Sequence, residues 1–122
     1  MKNKKQSPAS EIQNYCREIL SEREHWKEIN QNGCNDPFWA DGCNMNLVRN
    51  HILYARKKLE LLCGEQNVGL PEEYFLPVPP VVPDGYMANL NQKERVERLK
   101  AHSGKLVTKK AKFEEDGQYC FL

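Results

Sequence analysis

Two cysteines, Cys34 and Cys43, bracket a stretch that also carries Asp36, Phe38, Trp39, Asp41 and Asn44. His51 follows shortly after, and His25 and Cys63 lie on segments able to fold back onto that stretch. Thiolates and imidazoles bind zinc, but zinc sites usually pair their ligands at two-to-four-residue spacing. Cys34-x8-Cys43 is no such pair, and Cys-x-x-Cys does not occur. Small half-buried thiols and a helix histidine are the simpler account, so no metal and no cofactor is expected. Asp41, Asn44 and Asn46 offer oxygen ligands, yet a calcium loop needs Asp-x-Asx-x-Asx-Gly and a later bidentate Glu. Here Gly42 directly follows Asp41, which favours turn and cap roles. A cysteine nucleophile needs a base and an orienting acid, and nothing marks Cys34 or Cys43 as activated. Neither a Gly-rich phosphate loop nor a dinucleotide fingerprint occurs. The chain is therefore expected not to be an enzyme. A Cys/His metalloprotein or enzyme centred on Cys34, Cys43 and His51 is the weakest alternative.

Two other groups of residues suit macromolecular partners. Arg49, Asn50 and His51 point about 100° apart on a helix, so they cannot all face a core. The modest account pairs Arg49 with Asp36 or Asp41 to lock the loop, through a charge-assisted bond. The sharper account is a partner-binding surface of Trp39, Asp41, Arg49 and Asn50. The second group is basic: Lys93, Arg95, Arg98, Lys100, Lys105, Lys109, Lys110 and Lys112, opposed only by Glu94 and Glu97. With Tyr119 and Phe121 available for stacking, this C-terminal region could bind nucleic acid. A solvated charged face is the commoner use of such a run. Net charge is only +1, so there is no global pull towards nucleic acid or a membrane surface. From Glu11 to Glu28 the balance is acidic, with five Glu against Arg17, Arg23 and Lys27.

The elements that must position these residues follow from spacing and punctuation. A length of 122 residues fits one domain. Residues 1–6 are a polar, basic lead. Ser7-Pro8 reads as a helix cap followed by proline at the first helical position, and Ser10 with Gln13 offers a capping box. Ile12, Tyr15, Cys16, Ile19, Leu20, Trp26 and Ile29 recur at helical spacing, and Gly33 ends that helix. A structured loop spans 33–46, with at least one of Phe38 and Trp39 expected to be buried. Asn44 or Asn46 is expected to cap a second helix from about Leu47 to Cys63, with Val48, Ile52, Ala55, Leu59 and Leu62 inward and Gly64 as its stop. The two helices should form an antiparallel hairpin over 7–64.

Residues 65–88 hold five of the seven prolines. Pro77-Val-Pro-Pro80 has the spacing of a Pro-x-x-Pro ligand. However, Leu70, Tyr74, Phe75, Leu76, Val78, Val81 and Val82 are too apolar for a solvated linker, which predicts a strap lying over the hairpin. Residues 89–122 read as a short helix from about Gln92 to His102, capped by Asn89 or Asn91, then a β-hairpin around Asp116-Gly117. The fold class is mainly α, an α-rich α+β: helical hairpin, Pro-rich strap, short third helix and small C-terminal β-hairpin.

No run approaches the about 18 apolar residues of a membrane span. The basic lead has no apolar segment behind it, as a secretory signal would. Five cysteines, an odd number, favour reduced thiols. A cytoplasmic protein is expected.

The run Asp36-Pro-x-Trp-x-Asp-Gly-x-Asn-x-Asn-Leu-Val-Arg-Asn-His-Ile52 resembles small uncharacterised proteins of Firmicutes phages and prophages. Leu-Pro-x-x-Tyr…Pro-Pro-x-x-Pro…Tyr-Met-Ala, from Leu70 to Ala88, is similar as well. The likeness covers residues 33–88 and carries no activity with it. It implies an accessory protein of a mobile element. By analogy with other small phage proteins, that suggests a non-catalytic binder of a protein partner, including host defence components in the manner of anti-CRISPRs. Nucleic-acid binding through the basic C-terminal region is the alternative.

Overall fold

The computed structural model describes residues 7–88, 93–103, 111–113 and 119–121. Helix α1 spans Pro8–Asn32. Ser7 is its cap: the Ser10 amide donates to Ser7 Oγ at 3.1 Å, and Pro8 opens the helix. Ser10 lies inside the helix, so it does not cap it with Gln13. Gly33 ends α1 with φ 77°, a backbone conformation that glycine adopts without the Cβ clash.

Helix α2 spans Asp41–Gln66, beginning six residues earlier than the apolar periodicity suggests. Neither Asn44 nor Asn46 caps it, because both lie within it. The cap position is Ala40, which supplies no side-chain bond. The helix also runs through Gly64 and stops at Asn67, a left-handed residue with φ 56°.

The two helices pack as a hairpin, and the apolar residues meet where the periodicity puts them. Cys16, Ile19, Ile52, Ala55 and Leu59 form one buried cluster. Trp26, Ile29, Met45 and Val48 form another. Leu20 falls off the stripe and is exposed.

The 65–88 segment does lie over the hairpin. After a 3-10 turn at Glu72–Phe75, Tyr74, Leu76 and Val78 pack on the first cluster, and Val82 and Tyr86 belong to the second. A proline-rich extended chain has no internal hydrogen bonds, so its buried polar groups need partners elsewhere. The helices supply them. Arg23 Nε donates to the Pro77 carbonyl at 3.1 Å, and Arg49 Nε to the Pro79 carbonyl at 2.8 Å. The Asn46 amide group both donates to the Val82 carbonyl at 2.7 Å and accepts the Val82 N–H at 3.0 Å. Pro79 is fully buried, which is at odds with a free Pro-x-x-Pro ligand.

Gly42 is the point of closest approach between α2 and the strap. Its N–H donates to the Tyr86 carbonyl at 2.8 Å. A Cβ there would lie 1.9 Å from the Pro83 carbonyl oxygen. Asp41-Gly42 is thus not a turn. The glycine admits the strap against the first turn of α2.

Helix α3 spans Lys93–Ser103. Its Val96 and Leu99 join Ala40 and Met87 in a third cluster, so α3 seats on the loop and the strap's end. The residues expected to cap it, Asn89 and Asn91, lie outside the described residues. Strands Ala111–Phe113 and Tyr119–Phe121 pair antiparallel, with Lys112 opposite Cys120. The turn expected at Asp116-Gly117 lies outside the described residues. The architecture is helix-rich, and no helix among the described residues is long and apolar enough to cross a membrane.

Candidate functional site

The loop between α1 and α2 is built on a buried ion pair. Asp41 is 0% exposed and Arg95, from α3, is 8% exposed, with Nη1 2.9 Å from Asp41 Oδ1. A buried carboxylate is tolerated only when its oxygens are fully engaged. Asp41 Oδ1 also accepts the Cys34 N–H and thiol, each at 3.1 Å, while Oδ2 accepts the Ala88 N–H at 2.8 Å. The carboxylate therefore ties the loop's start, the strap's end and α3 to the first residue of α2.

The Arg95 guanidinium uses its remaining donors on the loop backbone. Nε donates to the Asp36 carbonyl at 2.7 Å and Nη2 to the Trp39 carbonyl at 3.0 Å. From outside, Asp36 Oδ1 accepts the Phe38 and Trp39 N–H groups at 2.8 and 3.1 Å, and Oδ2 accepts from Asn44 Nδ2 at 3.2 Å. Burial works against ionisation of Asp36. The Phe38, Asn44 and Trp39 donors together with Arg95 outweigh it and hold its carboxyl below the ordinary carboxylate value. The loop backbone is thus fixed from both sides, and its two aromatic side chains point outward. Phe38 is 65% exposed and Trp39 60%.

These positions revise several expectations. Neither Phe38 nor Trp39 is buried; the buried indole is Trp26. Asp41 cannot face a partner, because it is sealed against Arg95. Arg49 pairs with neither Asp36 nor Asp41; it binds the strap at Pro79. Of the expected partner surface, Trp39 and Asn50 remain exposed. In the basic region, Arg95 is removed from any nucleic-acid surface by burial against Asp41. Lys93 and Lys100 are exposed on α3. Lys105, Lys109 and Lys110 lie outside the described residues, as do the side chains of Arg98 and Lys112.

Of the described cysteines and histidines, His25, Cys34 and His51 line one cleft between α1 and α2, and Cys43 and Cys63 are placed elsewhere. Cys43 donates to the Asp84 carbonyl at 3.4 Å, away from Cys34, which is turned to Asp41. Cys63 is buried at the other end of α2. Burial, then the bond to Asp41, pushes the Cys34 thiol up. Burial, then Asp84, does the same for Cys43. Neither environment favours a thiolate nucleophile. His25 and His51 meet at Glu22, with Nδ1 atoms 3.2 and 3.3 Å from Oε1 and Oε2. This bridge, one histidine from each helix, was missed although Glu22 falls on the helical line of Ile19, Trp26 and Ile29; a charged residue on that line does not by itself announce two imidazole partners. Among the described residues, no group of three His, Cys, Asp or Glu is arranged to hold a metal ion. Arg23 and Arg95 were also missed as buried residues. Arg23 does fall on the helical line of Cys16, Ile19 and Trp26, which was its one signal.

Compared with known proteins, the chain matches no family model, no curated protein and no solved structure.

Proposed function

We propose that the protein is a non-catalytic binding protein of the cytoplasm, an accessory factor of a phage or other mobile element that engages a protein partner. A host defence component is one partner class, offered by analogy with other small phage proteins. One observation supports this reading most: Phe38 and Trp39 stand 65% and 60% exposed on a loop whose backbone is clamped by Asp36 and Arg95. Large aromatics are the commonest anchors of protein interfaces. Holding them on a fixed backbone removes part of the ordering cost of binding. Burial pushes the Cys34 and Cys43 thiols up, which disfavours the thiolate that a cysteine nucleophile at either position would need.

The test is retention of a partner from host cells by wild type, by Phe38→Ala/Trp39→Ala, and by Leu61→Ala, whose side chain is exposed near the far end of α2. The expected result is one protein held by wild type and Leu61→Ala and lost by the double variant, with all three equally folded by circular dichroism. Equal retention of that protein by the double variant would overturn the reading.

A further inference from the structure

Beside the aromatic loop, between α1 and α2, lies a cleft of about 190 Å³. Pockets for drug-sized ligands run to about 300–1,000 Å³, so this one suits a single long side chain. Ile29, Leu47 and Val48 give it apolar walls, and Glu22 and Asp36 give it two carboxylates. Among the described residues no lysine or arginine lines it, and the nearby Arg95 charge is matched by Asp41. With His25 and His51, which also line it, neutral, its formal charge is negative. Glu22 is held in place by two imidazoles, one on each oxygen, and its side chain is 20% exposed. Asp36 is fixed by the Phe38, Trp39 and Asn44 donors, and those same bonds keep it next to the exposed aromatic pair.

We infer that this cleft receives an arginine side chain from the protein partner, with the partner's apolar residues seated on Phe38 and Trp39. The inference rests on the binding reading above. An arginine fits both halves of the cleft. Its aliphatic stem covers Leu47 and Val48 as snorkelling side chains do, and its planar fork matches carboxylates in a way a lysine ammonium does not. Two fixed carboxylates lining a slot with apolar walls make the charge complementarity suit a cation on a long stem.

The probe is a capped pentapeptide, Ala-Leu-Arg-Leu-Ala, titrated into the full-length protein and followed by NMR of labelled histidine and leucine side chains. Its counterpart carries citrulline in place of arginine, which keeps the shape and removes the charge. Saturable shifts at His25, His51 and Leu47 are expected, with the citrulline peptide at least tenfold weaker. Glu22→Gln should weaken the arginine peptide by about tenfold, the size of one charge-assisted hydrogen bond. Leu47→Lys places a like charge on an exposed rim position and should do the same without affecting folding. Equal binding of the two peptides, shifts that map elsewhere, or unchanged binding by both variants would each overturn the inference. The partner assay separates the two levels. A partner retained by Glu22→Gln and Leu47→Lys but lost by Phe38→Ala/Trp39→Ala overturns the arginine cleft and leaves the binding reading standing.

Discussion

Arg95 Nη1 sits 2.9 Å from Asp41 Oδ1, with both side chains sealed from solvent. Fifty-four residues separate them in the chain, and the pair closes the α1–α2 loop, the strap and α3 around one point. The pair also explains how two large aromatics can stay exposed without the loop collapsing over them. The loop's carbonyls are held from below by the guanidinium, so its backbone does not depend on burying Phe38 or Trp39.

Removing one member of a buried pair leaves the other charged and unpaired, at about 3–5 kcal/mol. Arg95→Ala is expected to lose that much stability in urea melts, and Arg95→Lys to recover little of it, because a lysine cannot reach Asp41, the Asp36 carbonyl and the Trp39 carbonyl together. A loss under about 1 kcal/mol would show that the pair does not organise the loop.

The two tryptophans should behave oppositely. Trp26 is 0% exposed and Trp39 60%. Trp26→Ala is expected to cost about 3–5 kcal/mol, the range for a buried aromatic. Trp39→Ala should stay within about 0.5 kcal/mol of wild type, as surface sites do. Paired denaturant melts decide it, and a large loss in Trp39→Ala would return that residue to the core and remove it as a partner anchor.

Much of the helical hairpin was legible because its signals are local and periodic: Ser7-Pro8 at the start, Gly33 at the end of α1, and the Ile52, Ala55, Leu59 line in α2. The strap was legible from composition, since Leu76, Val78 and Val82 are too apolar to remain in water. The site was less legible because its logic is long-range. Nothing near Asp41 announces a partner at position 95, and a basic run hides one buried arginine among solvated ones. The early start of α2 was missed for a related reason. Asp41 and Gly42 look like a turn locally, and only the strap's approach shows why a glycine is needed within a helix.

Two glycines of α2 provide a matched pair. Gly42→Ala puts a methyl group against the Pro83 carbonyl oxygen, which belongs to backbone and cannot swing aside. A loss of about 1–3 kcal/mol is expected, as for overpacking. Among the described residues outside its own helical turn, nothing lies within 4 Å of a Cβ at Gly64, so Gly64→Ala should gain about 0.5–1 kcal/mol from helix propensity. The two melts should move in opposite directions; a Gly42→Ala variant as stable as wild type or more so would contradict the close approach at Gly42.

Cys16 carries an alkaline signature. Burial, then the Glu73 carboxylate, pushes its thiol from 9.0 up to about 11. The folded state thus keeps its proton where the unfolded chain loses it. The stabilising contribution is complete below about pH 9 and is lost as pH rises towards 11. Urea melts at pH 8, 9.5 and 11 should show a steeper fall for wild type than for Cys16→Ala. Parallel curves would show that the buried thiol is not what titrates.

The basic C-terminal region leads to the prediction that separates the main reading from its alternative. Arg95 is spent on Asp41, and Lys100 lies 3.9 Å from Glu97, so α3 offers less free positive charge than its sequence suggests. The acidic residues of α1 offset the rest, leaving a net charge of +1. Contacts from Lys93, Lys105, Lys109, Lys110 and Lys112 to phosphates would release counterions, so any binding must fall steeply with salt, and non-specific affinity near physiological salt is only about 10⁻⁴–10⁻⁶ M. Single- and double-stranded oligonucleotides titrated at two salt concentrations should give binding no tighter than that, vanishing at the higher salt. Lys109→Glu/Lys110→Glu should weaken it without changing retention of the protein partner. Sub-micromolar binding at physiological salt, lost in that double variant, would promote nucleic-acid recognition over the aromatic loop as the protein's working surface.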